Sequence, residues 1–155
     1  MLKQISLVVA ALLAPMTAHA ATPIKLTSEV FVERQQKASD GTIRYVLEKP
    51  DTVLPGDNVL FILRYRNVGD KPARDLVVTN PLPAAISYSG TDGGQVMVSV
   101  DGAQSWGQLS QLKVPMGNGN WRAARENDVT HVQWKLGPVL SSGAEGKLMF
   151  RGTVR

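Results

Sequence analysis

The chain has 155 residues, no cysteine, and 17 basic against 13 acidic side chains, for a net charge of +4. A chain without cysteine has no disulfide, no thiol nucleophile, no Cys-ligated zinc and no iron–sulfur cluster. The mild positive charge is scattered without any run like a nucleic-acid arm, and no apolar stretch approaches the roughly 20 residues that cross a bilayer as a helix.

The first twenty residues read as an export leader. Lys3 supplies the positive start, Ile5 to Leu13 is a short apolar run broken only by Ser6, Pro15 ends it, and Ala18-His19-Ala20 places small residues at −3 and −1 of a cut before Ala21. Cleavage there leaves 135 residues and, with Lys3 gone, a net charge of +3. That is the size of one domain, able to bury about two thirds of its unfolded surface and so to fold without covalent staples. The expectation is a single domain over residues 21–155, soluble in the periplasm or fully secreted, with no membrane span and no cysteine before the cut to carry a lipid.

Along the mature chain, apolar residues recur at spacing two, which favours strand over helix. Ile24, Leu26, Ser28, Val30 and Val32 form the first alternating set, and the polar segment Glu33 to Ala38 reads as a loop. Ser39-Asp40-Gly41 signals a tight turn, after which Ile43, Tyr45 and Leu47 face one way. Lys49-Pro50 ends that strand, because proline has no N–H for a ladder. Pro55-Gly56-Asp57 is a turn, and Asn58 to Arg66 is the best central strand: Val59, Phe61, Leu63 and Tyr65 point inward, while Leu60 and Ile62 imply a partly covered far side. Asn67-Val68-Gly69-Asp70 turns the chain into a strand over Ala73 to Thr79. Asn80-Pro81-Leu82-Pro83 reads as a corner between sheets, since two prolines delete ladder bonds.

Ile86 to Tyr88 and Gln95 to Val100 follow as strands, separated by the loop Thr91-Asp92-Gly93-Gly94 and closed by Asp101-Gly102. From Ala103 to Asp128 the pattern fades into apolar islands and the loop Pro115 to Asn120, with Arg122-Ala123-Ala124-Arg125 spaced for a single helical turn. Val132, Trp134 and Leu136 alternate again, Ser141 to Gly146 turns, and Leu148, Phe150, Gly152 and Val154 make the last strand. The whole is an all-β pattern of about seven to nine antiparallel strands, the signature of a β-sandwich, with no segment suited to a βαβ crossover.

Pro55-Gly56-Asp57, the alternating strand ending in Asn67 with Gly69, Leu76-Val77-Val78-Thr79 and Pro81-Leu82-Pro83 together resemble the bacterial and archaeal surface repeat called domain of unknown function eleven. The match runs best over Val53 to Tyr88. Asn80 stands where that family shows aspartate, and the C-terminal half after Val100 is longer. The resemblance implies an immunoglobulin-like sandwich of envelope or secreted proteins and supplies no catalytic residue.

His131 is the one histidine beyond the leader and sits in the outward phase of its strand near Asp128 and Thr130, so a catalytic or metal role needs partners from elsewhere. His19 becomes an amino-terminal copper ligand only with a cut after Ala18, which puts Met16 at −3. Met97, Met116 and Met149 lie in separate segments rather than in a thioether cluster. Asp40, Asp57, Asp70, Asp92 and Asp101 sit at turns, without the Asp-x-Asp-x-Asp-Gly spacing of a calcium loop, so turn-making explains them, as it explains Asn67 and Asn80. Trp134 shares the phase of the core. Trp121 lies in the polar loop, where its ring either folds over the core or stands free to stack on a sugar or anchor a partner, and Trp106 falls between these cases.

No cofactor or metal is expected. The leading expectation is an exported, non-enzymatic structural or protein-interaction module of the cell envelope, binding by loops or by an unpaired edge strand. The alternatives are a small carbohydrate-binding module using Trp121 and Trp106 with Arg122 beside them, or a periplasmic assembly accessory that offers an edge strand.

Overall fold

A computed structural model describes residues 23–92 and 96–155. The expected leader and cleavage site, His19 and Gln95 lie outside the described residues. Twelve strands occur among those described: β1 Ile24–Lys37, β2 Ile43–Glu48, β3 Asn58–Asn67, β4 Ala73–Arg74, β5 Val77–Pro81, β6 Ile86–Thr91, β7 Val96–Ser99, β8 Lys113–Pro115, β9 Trp121–Ala123, β10 His131–Lys135, β11 Val139–Leu140 and β12 Glu145–Val154. A five-stranded sheet is ordered β2-β1-β3-β12-β6, a three-stranded sheet β5-β10-β7, and β11-β4 and β8-β9 form small pairs. Every pairing is antiparallel. The expected all-β antiparallel sandwich is therefore the fold. Its strand count exceeds seven to nine because β4, β8, β9 and β11 span only two or three residues, too short for a period-two pattern to register.

The core lies between the two larger sheets. Val32, Val59, Phe61, Leu63, Ile86, Phe150 and Val154 come from the five-stranded sheet, and Val78, Val98, Val132 and Trp134 from the three-stranded one. The Phe61 and Phe150 rings stack at 4.4 Å across neighbouring strands, and Trp134 tilts onto Phe150 at 6.0 Å from the opposite layer. β3 is central, as its pattern indicates, and Leu60 and Ile62 on its outer face are buried as well. Leu60 is flanked there by Phe31 and Arg151, and the Arg151 guanidinium is held by Glu33 at 2.9 Å and Asp92 at 2.5 Å.

Three local expectations are corrected. Glu33–Lys37 is strand, not loop: β1 pairs with β3 as far as Glu33 and continues with β2 from Val32 to Lys37, so tertiary pairing overrides a polar sequence. Ala73 to Thr79 is two strands in two different sheets, split where Asp75 takes a φ of 50°. Arg122–Arg125 is not a helical turn; Trp121–Ala123 is β9, and a 3-10 turn follows at Glu126–Asp128. The corner at Asn80–Pro83 does carry the chain from the small sheet to the large one. Asn80 and Pro81 belong to β5 because that strand is an edge, where a missing N–H is harmless. Among the described residues no helix is long and apolar enough to cross a membrane.

Candidate functional site

The weakly patterned segment between Ala103 and Asp128 folds as a cap of short elements. Ser99 to Trp106 is a loop organised by one carboxylate. Asp101 accepts hydrogen bonds from the Ser105 hydroxyl (2.5 Å), the Ser105 N–H (2.9 Å), the Ser99 hydroxyl (2.7 Å) and the Gln104 N–H (3.0 Å). These donors, Ser105 foremost, hold its carboxyl well below the usual carboxylate range. The loop also carries Ala103 at a φ of 70°, a backbone conformation costly for a residue with a Cβ.

This loop delivers Trp106 against His131, edge to face with ring centroids 6.3 Å apart. The Thr130 hydroxyl gives its one proton to the Ser99 carbonyl at 3.1 Å, so His131 Nδ1, 3.0 Å away, donates to Thr130 Oγ1. His131 is thus tied to Thr130 and to an indole, with no carboxylate as its bonding partner. Trp106 also walls a hollow of about 560 Å³ together with Tyr88, Met97 and Gln111. Burial raises the Tyr88 hydroxyl above its ordinary pKa.

Trp121 is elsewhere. It stands on β9, opposite Pro115 of β8, and the hairpin tip between them presents Trp121 at 62% and Met116 at 61% exposure. Trp121 and Trp106 therefore do not form one platform: Trp121 is not among the residues lining the hollow that Trp106 walls. Arg122 is engaged by Asp128. Its two terminal nitrogens grip Asp128 at 2.6 and 2.7 Å, and Asp128 also accepts the Arg125 N–H at 2.8 Å. The Arg122 guanidinium, then that N–H, holds the Asp128 carboxyl below its usual range. Arg122 serves as a clamp that fastens β9 to the Glu126–Asp128 turn, while its neighbour Trp121 stays open.

Asp40 accepts from the Thr42 hydroxyl and N–H, and Asp57 from the Leu54 N–H at 2.9 Å and Arg34 at 2.6 Å, each in its own turn. Met97, Met116 and Met149 are in separate places. Among the described residues no group of three or more His, Asp or Glu is placed to hold a metal ion.

One concentration of charge is invisible in the sequence. Strand register sets Lys25 opposite Arg66 and Arg64 opposite Lys147 on the outer face of the five-stranded sheet, along a groove of about 530 Å³. Like charges directly opposite each other disfavour the pairing; Arg64 is relieved by Glu29 at 3.3 Å, and the register sets Glu145 on the other side of Arg66.

A scan against protein-family models finds no match for this chain, and searches of curated proteins and of solved structures find none either.

Proposed function

We propose that this chain is an exported, non-catalytic interaction module of the cell envelope whose contact surface is the tip of the β8–β9 hairpin. The observation that carries it is the exposure of Trp121 and Met116, two large apolar side chains on one hairpin that the Arg122–Asp128 pair anchors at its base. A large aromatic ring left open on an anchored hairpin suits a contact residue of an interface. The export leader and the resemblance of Val53 to Tyr88 to a bacterial and archaeal surface repeat support the envelope setting. The occupied hydrogen bonds of His131, Asp101 and Asp128 favour scaffolding over proton transfer.

The test places a photoreactive benzoylphenylalanine at Met116 of the exported protein. The expected result is a discrete adduct with one envelope protein, lost on Trp121→Ala and absent when the probe replaces exposed Lys135. Equal labelling from both positions, or none, removes the proposal. The free indole also favours a second reading, a carbohydrate-binding module. Glycan-array binding abolished by Trp121→Ala with an unchanged circular dichroism spectrum supports it, and an inert array excludes it.

A further inference from the structure

β1 and β2 leave the body of the sandwich as a two-stranded arm. β1 pairs with β3 only as far as Glu33, whereas β2 pairs with β1 from Val32 to Lys37, so the two ladders share just Val32 and Glu33. A lone two-stranded ribbon is marginal in water, and this one turns three aligned apolar side chains to solvent: Ile43 at 62%, Tyr45 at 66% and Leu47 at 48% exposure. β2 is the terminal strand of its sheet, so its outer edge is unpaired among the described residues.

The arm's turn fixes which backbone groups face outward. Ala38 N–H donates to the Thr42 carbonyl and Gly41 N–H to the Ala38 carbonyl, which makes Ala38 and Thr42 a hydrogen-bonded pair. Counting back along the antiparallel ladder, Gln36–Arg44, Arg34–Val46 and Val32–Glu48 bond to each other, whereas Ile43, Tyr45 and Leu47 direct their N–H and C=O away from β1. A second strand on this edge must hydrogen-bond to those three residues.

We infer that the second strand is β2 of another copy, paired antiparallel about a two-fold axis at Val46. Only registers that set outward-facing residues opposite one another are open, which restricts the axis to Arg44, Tyr45, Val46 or Leu47. An axis at Arg44 opposes two arginines. At Tyr45, Arg44 lies against Val46, and at Leu47, Arg44 meets Pro50 while Glu48 meets Val46, so neither charge finds an opposite one. With the axis at Val46, Arg44 of each copy stands opposite Glu48 of the other, twice, and Tyr45 opposes Leu47, twice, on the exposed apolar face. The surface is thus complementary to itself in charge and in apolar pattern, as an isologous interface requires. The resulting dimer joins two five-stranded sheets across one edge and sets the two exposed apolar strips beside each other. This pairing is independent of the hairpin at Trp121: a chain that dimerises but captures no partner there loses only the earlier reading.

Sedimentation equilibrium of the exported protein tests it. The wild type is expected to self-associate, Arg44→Glu and Glu48→Arg each to weaken the dimer by roughly tenfold or more, and the double swap to restore it. Because the chain has no cysteine, Val46→Cys gives an orthogonal readout. Non-hydrogen-bonded partners lie about 4.5 Å apart at Cα, within disulfide reach, so mild oxidation should link Val46→Cys into a dimer and leave Ile43→Cys unlinked. A wild type that stays monomeric at high concentration, single and double swaps that behave alike, or a Val46→Cys protein that does not cross-link overturns the inference.

Discussion

Asn67 shows how much one side chain can hold when it is wholly buried. At 0% exposure it accepts the Gly69 N–H at 3.0 Å and donates to the carbonyls of Lys71 at 2.8 Å and Leu140 at 3.0 Å. It closes its own turn and ties that turn to β11, 73 residues further on. Alanine in its place strips three backbone groups of their partners, and an unmet buried donor or acceptor costs about 1–3 kcal/mol. Asn67→Ala is therefore expected to lose about 2–4 kcal/mol in urea unfolding. Asn67→Asp should do no better at neutral pH, since it points a carboxylate at two carbonyls. Asn80 is the internal control. It makes one local bond, to the Pro81 carbonyl at 2.8 Å, so Asn80→Ala should stay within about 0.5 kcal/mol of wild type. Similar losses at both positions would mean that turn geometry, and not the buried network, sets the stability.

At the scale of elements, the long strands were legible because they alternate: β3, β10 and β12 lie where Val59-Phe61-Leu63, Val132-Trp134 and Phe150-Gly152-Val154 put them. What escaped was set by partners distant in sequence. Nothing local makes Gln35 and Gln36 extended; β2 does that. The charge grid of Lys25, Arg64, Arg66 and Lys147 exists only once the register of β1, β3 and β12 is known. At the candidate site, the free ring of Trp121 fits one of the two placements open to a loop tryptophan, but the Arg122–Asp128 clamp depends on how the cap folds. Gly152 is a further case. It reads as a simple place-holder in an apolar phase, yet the register between β12 and β6 shifts between Arg151 and Gly152, and a Cβ there would collide with Ile86 Cγ2 and lie 2.8 Å from the Ser87 carbonyl oxygen. Because part of that obstacle is backbone, it cannot rotate aside. Gly152→Ala is expected to cost about 1–3 kcal/mol by overpacking, read as a fall in Tm of roughly 5–10 °C. Gly137, with no atom within 4 Å of its would-be Cβ, should accept alanine without loss. Equal Tm values for the two variants would contradict the packing described for β6.

For the molecule as a whole, the turns that shape the sandwich rely on ionised carboxylates, and this makes its stability depend on pH. Asp101 is held below the usual carboxylate range by Ser105, Asp57 by the Leu54 N–H and then Arg34, and Asp128 by Arg122. Their folded pKa values lie beneath the unfolded value near 3.9, so in the interval between the two the unfolded chain binds more protons and stability rises with pH. The contribution is complete above about pH 5 and is lost as acid titrates the three groups below about pH 4. Tyr88 has the opposite sign. Burial raises its pKa, so the folded state keeps a proton that the unfolded state gives up, and stability falls as pH climbs past about 10. Thermal unfolding should therefore show two limbs of distinct origin. Tyr88→Phe should flatten the alkaline limb alone. Asp101→Asn should lower Tm near neutrality and make the acid limb shallower, its curve closing on that of the wild type as pH falls below about 4. Curves for Asp101→Asn and wild type that run parallel from neutral pH into acid would show that the carboxylate's charge does not organise the Ser99–Trp106 loop, leaving only the shape of its hydrogen bonds.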